Sequence, residues 1–177
     1  MDEIGKVVVN EFDPSNFLPS LWETWKGVVT SPSLFFRQMP RDGGFLPPLL
    51  FMLVCLSVDG LLIGIFGRGI RGFFSAAVGT TLMTFLIAVI LYLFSTQLFP
   101  GKGNYEGSFR ILAYTNAVSV LGWIPVIGVL AALYGIYIAA RGVMEVHVLD
   151  RGKAGVVIIL TALVMVVLSL LLGFRSF

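Results

Sequence analysis

Charge is what this chain has least of: Asp, Glu, Lys and Arg together make up 12% of its 177 residues, against 57% hydrophobic. An ordinary soluble domain carries about 25% charged residues, so too little polar surface is present to cover a water-soluble fold, and the mean hydropathy of +0.94 agrees. There is one cysteine, Cys55, and one histidine, His147. An internal disulfide is excluded, and neither a Cys-x-x-Cys nor a His-x-x-x-His metal set can be assembled. The sequence has no Gly-x-Ser-x-Gly elbow and no Gly-Lys-Ser/Thr phosphate loop. Gly67-Arg68-Gly69 with Gly72 has the outline of a dinucleotide fingerprint, but no strand precedes it and it joins two apolar runs, so it reads as a turn. The expectation is a protein that is not an enzyme, with no metal and no cofactor. Net charge is +2, but the basic residues lie in short loops, which suits orientation against anionic lipid and not nucleic-acid binding. Asp2 and Glu3 stand where an export signal would be positive, and no long apolar run follows until after residue 45, so no secretory signal is expected.

What is there in abundance is apolar sequence of membrane-crossing length. A hydrocarbon core of ~30 Å needs ~20 mostly apolar helical residues, with every backbone polar group satisfied inside the segment. Leu46 to Phe66 meets this, opening on Pro47-Pro48, which fit a first turn whose N–H groups have no intrahelical partner. Phe73 to Phe99 is a second such run. Phe109 to about Ala140 would be about 48 Å as one helix, and Gly122-Trp123-Ile124-Pro125 breaks it, so it divides into Phe109–Leu121 and Ile124 to about Ala140. The first of these is short for a full crossing. Ala154 to Phe174 is the last. The fold class is therefore all-α, a polytopic bundle of five transmembrane helices (46–177) preceded by short amphipathic interfacial helices in a cytoplasmic segment (1–45). Lys6, Lys26, Arg37, Arg41, Lys102, Arg110, Arg151 and Lys153 fall on one side, Arg68, Arg71 and Arg175 on the other. That excess places the N-terminus in the cytoplasm and the C-terminus outside.

In the N-terminal segment, Ser20-Leu21-Trp22-Glu23 has capping-box spacing and predicts a helix start. Leu21, Trp22, Trp25, Val28 and Val29 recur at helical period opposite Glu23, Thr24 and Lys26. A second start is expected at Ser31-Pro32, with Leu34, Phe35, Phe36 and Met39 beside Arg37. The interfacial candidates are Trp22, Trp25, Phe35 and Phe36, which would meet lipid or pack on the bundle. Deleting residues 1–40 is expected to leave an inserted, monodisperse bundle, since the spans satisfy their own backbones, and to weaken partner or lipid association.

Within the spans, Gly60 and Gly64, and Ala131, Gly135 and Ala139, have the small-residue spacing that lets helices approach, inside one bundle or between two copies. Intramembrane polar candidates are Asp59, Tyr114, Thr115 and Asn116. Asp59 is expected to face the interior and to contact Tyr114, Thr115, Asn116, Thr80, Thr81 or Thr84, because a lone carboxylate in lipid is costly. Arg141, Glu145 and His147 form a candidate cytoplasmic cluster. Arg141 and Glu145 are one turn apart and able to pair, the three are solvated if the helix simply continues outward, and His147 would then titrate near neutrality. Arg68-Gly69-x-x-Gly72 is echoed by Arg151-Gly152-x-x-Gly155, the one feature that favours an inverted-repeat transporter.

Taken in order, Ser31-Pro32-Ser33-Leu34-Phe35-Phe36-Arg37, Gly43-Gly44, Pro47-Pro48, the run Tyr105-Glu106-Gly107-Ser108-Phe109-Arg110-Ile111-Leu112-Ala113-Tyr114, Ile124-Pro125-Val126-Ile127-Gly128, Val146-His147 and Lys153-Ala154 resemble the Yip domain family. These are small five-span membrane proteins related to Rab/Ypt GTPase-interacting proteins. The likeness covers roughly residues 25–170. It implies an adaptor or organiser of membranes that binds membrane lipid, a protein partner or another copy of itself. The chain looks like the short prokaryotic-type members, in a cytoplasmic membrane. It lacks the longer acidic N-terminal region and the Asp-Leu-Tyr-Gly-Pro kind of motif associated with eukaryotic forms, which argues against GTPase binding. The competing reading is a small transporter, channel or lipid-handling protein that uses the intramembrane polar residues.

Overall fold

Helix starts in this chain are set by caps and prolines, as the computed structural model shows for the residues it describes, 11–63 and 69–171. Among them are seven α-helices and no strand: α1 (Phe17–Thr30), α2 (Pro32–Gln38), α3 (Leu46–Ile63), α4 (Gly69–Leu93), α5 (Tyr105–Thr115), α6 (Pro125–Val146) and α7 (Arg151–Leu171). α4 ends in a wider turn at Phe94–Leu98, and α5 tightens into a 3-10 segment at Asn116–Leu121.

The expected start at Ser20 is not where α1 begins. Asp13 accepts from the Ser15 N–H and Pro14 follows it, so the chain turns into helix earlier, through a 3-10 turn at Pro14–Asn16. Ser20 Oγ instead bonds back to Asp13, donating to its carbonyl at 2.8 Å and accepting from its N–H at 3.0 Å. The start at Ser31-Pro32 is observed, with the proline in the first turn of α2. Gly69 to Gly72, expected as part of a turn, already belongs to α4; Gly67 and Arg68 lie outside the described residues. α5 starts ahead of Phe109 because Asn104 caps it, accepting the Gly107 N–H at 2.7 Å.

Among the described residues, three helices are long and apolar enough to cross a membrane, over Ala77–Leu98, Val126–Val146 and Arg151–Leu168, and Leu46–Leu61 is a shorter apolar helix. The descending limb of α5 and its 3-10 segment reverses at residues 122–124 into Pro125 of α6. Small residues on α6 face this limb. A Cβ on Gly128 would sit 2.5 Å from the Gly122 carbonyl oxygen, one on Gly135 3.1 Å from Val118, and one on Gly142 2.6 Å from Ile111. Ala131, Gly135 and Ala139 are buried, so this stripe packs within one bundle. Of the Gly60–Gly64 pair, Gly64 lies outside the described residues. Gly128→Ala is expected to lower stability by about 1–3 kcal/mol, since backbone cannot yield as a side chain would. Gly152→Ala in the first turn of α7, where nothing lies within 4 Å of the new Cβ, should be neutral or stabilise by up to ~1 kcal/mol. Thermal unfolding in detergent checks the pair.

The main core joins Phe12, Val28, Phe35 and Phe36 from the N-terminal segment to Phe51, Tyr114 and Val143 of the bundle. Phe35 packs edge-on against Tyr114 at 5.0 Å between ring centres. Phe35 and Phe36 are each 1% exposed, so they are core residues and not lipid-facing ones. Two aromatic rings gain more from full burial against other rings than from half-immersion at an interface. Trp22 remains exposed at 62%. Trp25 is half-buried, and its indole N–H donates to the Ala117 carbonyl at 2.9 Å, fastening α1 to the descending limb.

Candidate functional site

The loops before α3, before α5 and after α6 meet at one end of the bundle, and Glu11, Arg37, Arg41, Glu106, Arg110 and Glu145 converge there. Gly43 and Gly44 carry φ of +138° and +89°, left-handed values that admit glycine and strain other residues. The turn they make points both polar groups of Gly44 at α5. The Gly44 N–H donates to Glu106 Oε1 at 2.7 Å, and its carbonyl accepts from Arg110 Nη2 at 2.8 Å.

Arg110 is the hub. Its side chain is fully buried, a setting in which every donor needs an acceptor. Nε and Nη2 donate to Glu106 Oε1 at 3.0 and 2.9 Å, and Nη1 pairs with Glu11 Oε1, which also accepts from the Tyr114 hydroxyl at 2.7 Å. Burial pushes the Glu11 carboxyl above its ordinary value, opposed by Tyr114 and Arg110.

A second pair braces α2. Arg37 donates from Nε and Nη2 to the two carboxylate oxygens of Glu145, each at 3.1 Å, and Arg41 Nη2 reaches the Glu145 carbonyl at 3.3 Å. The pairing of Glu145 with Arg141 is not made: Arg141 bonds the Tyr137 hydroxyl at 3.1 Å and lies over its ring at 5.4 Å. Arg37 meets the carboxylate with a two-toothed fork, while Arg141 is engaged by Tyr137. The pair alone is worth little, because Arg37 is 69% exposed.

His147 is buried, contrary to the solvated extension expected for it. Its Nε2 lies 2.9 Å from Ser108 Oγ, its carbonyl accepts the Lys102 N–H at 3.0 Å, and its Nδ1 is buried with no partner among the described residues. Gly103 lies against the ring so closely that a Cβ would fall 2.5 Å from Nδ1. Burial, reinforced by Arg41, pulls the imidazole down to about 4 from 6.5. A base depressed in the folded state gives its full stability while neutral in both states, above pH 6.5, and loses it as pH falls toward 4. Stability should therefore be flat above pH 6.5 and drop by about 3 kcal/mol between 6.5 and 4. Glu11, raised above 4.5, works the other way in acid, so His147→Gln should abolish the drop. Melting temperature against pH measures both; a wild-type profile flat from 6.5 to 4 would contradict the burial.

The intramembrane candidates do not form one cluster. Tyr114 belongs to the Arg110 group. Thr115 Oγ donates to the Ile111 carbonyl at 2.7 Å and Asn116 Nδ2 to Leu112 at 2.9 Å, while Thr81 and Thr84 bond the carbonyls of Ala77 and Thr80. None is bonded to Asp59, because a hydroxyl on a helix finds the carbonyl one turn back without crossing to a neighbour. Asp59 Oδ1 is buried without a partner among the described residues and sits 3.0 Å from the position of a Cβ on Gly122. Glu11, Glu106, Ser108 and Arg110 were missed as site residues. The i,i+4 spacing of Glu106 and Arg110 was a visible signal; Glu11 offered none.

Among the described residues no group of three His, Cys, Asp or Glu stands together as a metal set. Among the hollows formed by the described residues, two measure about 450 Å³. One, apolar, lies between α1 and α3 beside Trp22 and Val58; the other lies among α4, the descending limb, α6 and α7. A family model described as the Yip1 domain matches residues 26–173. No curated protein and no solved structure matches the chain.

Proposed function

This chain belongs to the Yip1 domain family, and from that premise we propose that it is a non-enzymatic integral membrane adaptor or organiser, which binds a protein partner or lipid through α1. The observation that carries this is the division of labour at the N-terminus. Val28, Phe35 and Phe36 anchor the segment in the core, while Phe17, Leu18 and Trp22 are 42%, 73% and 62% exposed on a helix held in place by Trp25. Large apolar side chains on a fixed amphipathic helix suit an interface with a partner or with lipid. At the loop end Arg110 is paired with Glu11 and Glu106, and Arg37 with Glu145, which suits a brace more than a reactive centre.

In this reading α3, α4, α5 with its 3-10 segment, α6 and α7 are five crossings of a prokaryotic cytoplasmic membrane, with residues 26 and 153 inside and residues 68 and 177 outside. Cysteine-accessibility labelling of intact cells tests the orientation; strong external labelling at 26 or 153 refutes it. The adaptor reading is tested with a photo-crosslinker at position 22, compared with one at exposed Leu163 of α7 in native membranes. A discrete adduct confined to position 22 is expected. The same bulk-lipid adducts at both would overturn the reading. The second reading, a small transporter, channel or lipid-handling protein, draws support from the hollow among α4 to α7.

A further inference from the structure

That hollow is lined by apolar side chains, among them Ile87, Leu91, Ile136 and Met165, and its volume of about 450 Å³ lies in the range of small-molecule sites. Most of its polar lining is already bonded within its own helices. Thr84, Thr115 and Thr161 each donate the hydroxyl proton to a carbonyl of their own helix, at 2.8, 2.7 and 2.8 Å, and Asn116 commits an amide N–H in the same way. A threonine so bonded has only lone pairs left to offer. Thr84 and Thr161 are each 5% exposed, so bulk solvent does little to satisfy them. At the end formed by Ser119 and Gly122, two buried oxygens have no partner among the described residues: Ser119 Oγ and, against Gly122, Asp59 Oδ1. The wall therefore offers more lone pairs than protons, the latter from the Thr80 and Ser119 hydroxyls and the second N–H of Asn116, and its described lining residues include no cation.

We propose that this cavity binds a small amphiphile with an apolar body and a hydrogen-bond-donating head, an alcohol or a primary amine. A donating head satisfies lone pairs that the bundle leaves open; a carboxylate finds fewer protons than lone pairs and no cation to offset its lost hydration, and is disfavoured. The exposed residues Ile136 and Ala162 edge the cavity, giving such a molecule a way in from the apolar flank of the bundle. The inference deepens the second reading, on which it rests for the biological use of the bound molecule. It stands apart from the adaptor reading.

The test uses the full chain reconstituted in phosphatidylcholine vesicles and three photoreactive alkyl probes of equal chain length, ending in a hydroxyl, a primary amine or a carboxylate. Adducts are mapped by mass spectrometry. The donating probes should label the cavity segments of α4, α6 and α7 at least several-fold more than the carboxylate probe, and that labelling should fall several-fold in a Thr115→Val, Thr161→Val protein, which keeps the side-chain shape. Labelling by only one donating head identifies the class. Equal labelling by the carboxylate probe, or undiminished labelling of the double variant, overturns the proposal. Should the double variant elute as aggregate, Thr84→Val on α4 serves in its place with the same two outcomes. Absence of selective labelling leaves the discrete adduct at position 22 untouched, so the two readings fail separately.

Discussion

Replacing Arg110 with alanine is expected to destabilise the protein by about 3–5 kcal/mol, the loss seen when one member of a buried ion pair is removed and its partners are left charged and unpaired. The size follows from the hub geometry: one fully buried guanidinium serves Glu11, Glu106 and the Gly44 carbonyl together. Arg110→Lys keeps the charge but has no planar fork for three acceptors, and should fall between wild type and alanine. Replacing Glu106 in the Arg110→Ala background should cost much less than replacing it alone, because the pair has already been broken. Thermal unfolding in detergent reads all of these. An Arg110→Ala protein within 1 kcal/mol of wild type would show that the hub is not structural.

Deleting residues 1–38 is expected to yield an aggregated protein on size exclusion, the reverse of what the sequence suggests on its own. The deletion removes Phe12, Val28, Phe35 and Phe36 from the core they share with Phe51, Tyr114 and Val143, and a single buried Phe→Ala change already costs about 3–5 kcal/mol. Phe35→Ala tests the same point with a smaller perturbation, through a lower melting temperature. A monodisperse truncated bundle would restore the view of the segment as a detachable interfacial arm.

What could be read from the sequence and what could not divide along physical lines. Runs such as Ala77–Leu98 and Val126–Val146 declare themselves because the hydrocarbon core leaves a chain no alternative to helix. The reversal at Gly122 to Pro125 is legible because those residues disfavour the helix interior. The start of α1 was misplaced since Asp13-Pro14 and Ser20-x-x-Glu23 both offer caps, and only the packing of Phe12 and Trp25 selects between them. The side a Phe presents, to lipid or to Tyr114, is invisible in a seven-residue helix such as α2, because both environments are apolar. The site was hidden for a related reason. Glu11, Gly44, Glu106 and Arg110 are joined by loops whose path the sequence does not determine, although the segments carrying the family resemblance, around Gly43-Gly44, residues 105–114 and Val146-His147, are the ones that meet there. Asp59 is recognisable as costly, but Thr81, Thr84, Thr115 and Asn116 turn back to their own helices and Tyr114 bonds Glu11.

The account's central claim is that the N-terminal segment is anchored in the bundle by Phe35 and Phe36 so that α1 presents Leu18 and Trp22 as a working surface. The most direct measurement is a quantitative comparison of what co-purifies from native membranes with wild type, with a Leu18→Asp, Trp22→Asp protein, and with a Lys102→Ala control altered at another exposed position. All three should elute as the same monodisperse species. A defined protein or lipid should accompany wild type and the control and fall at least tenfold in the double variant. Equal recovery from all three would contradict the claim.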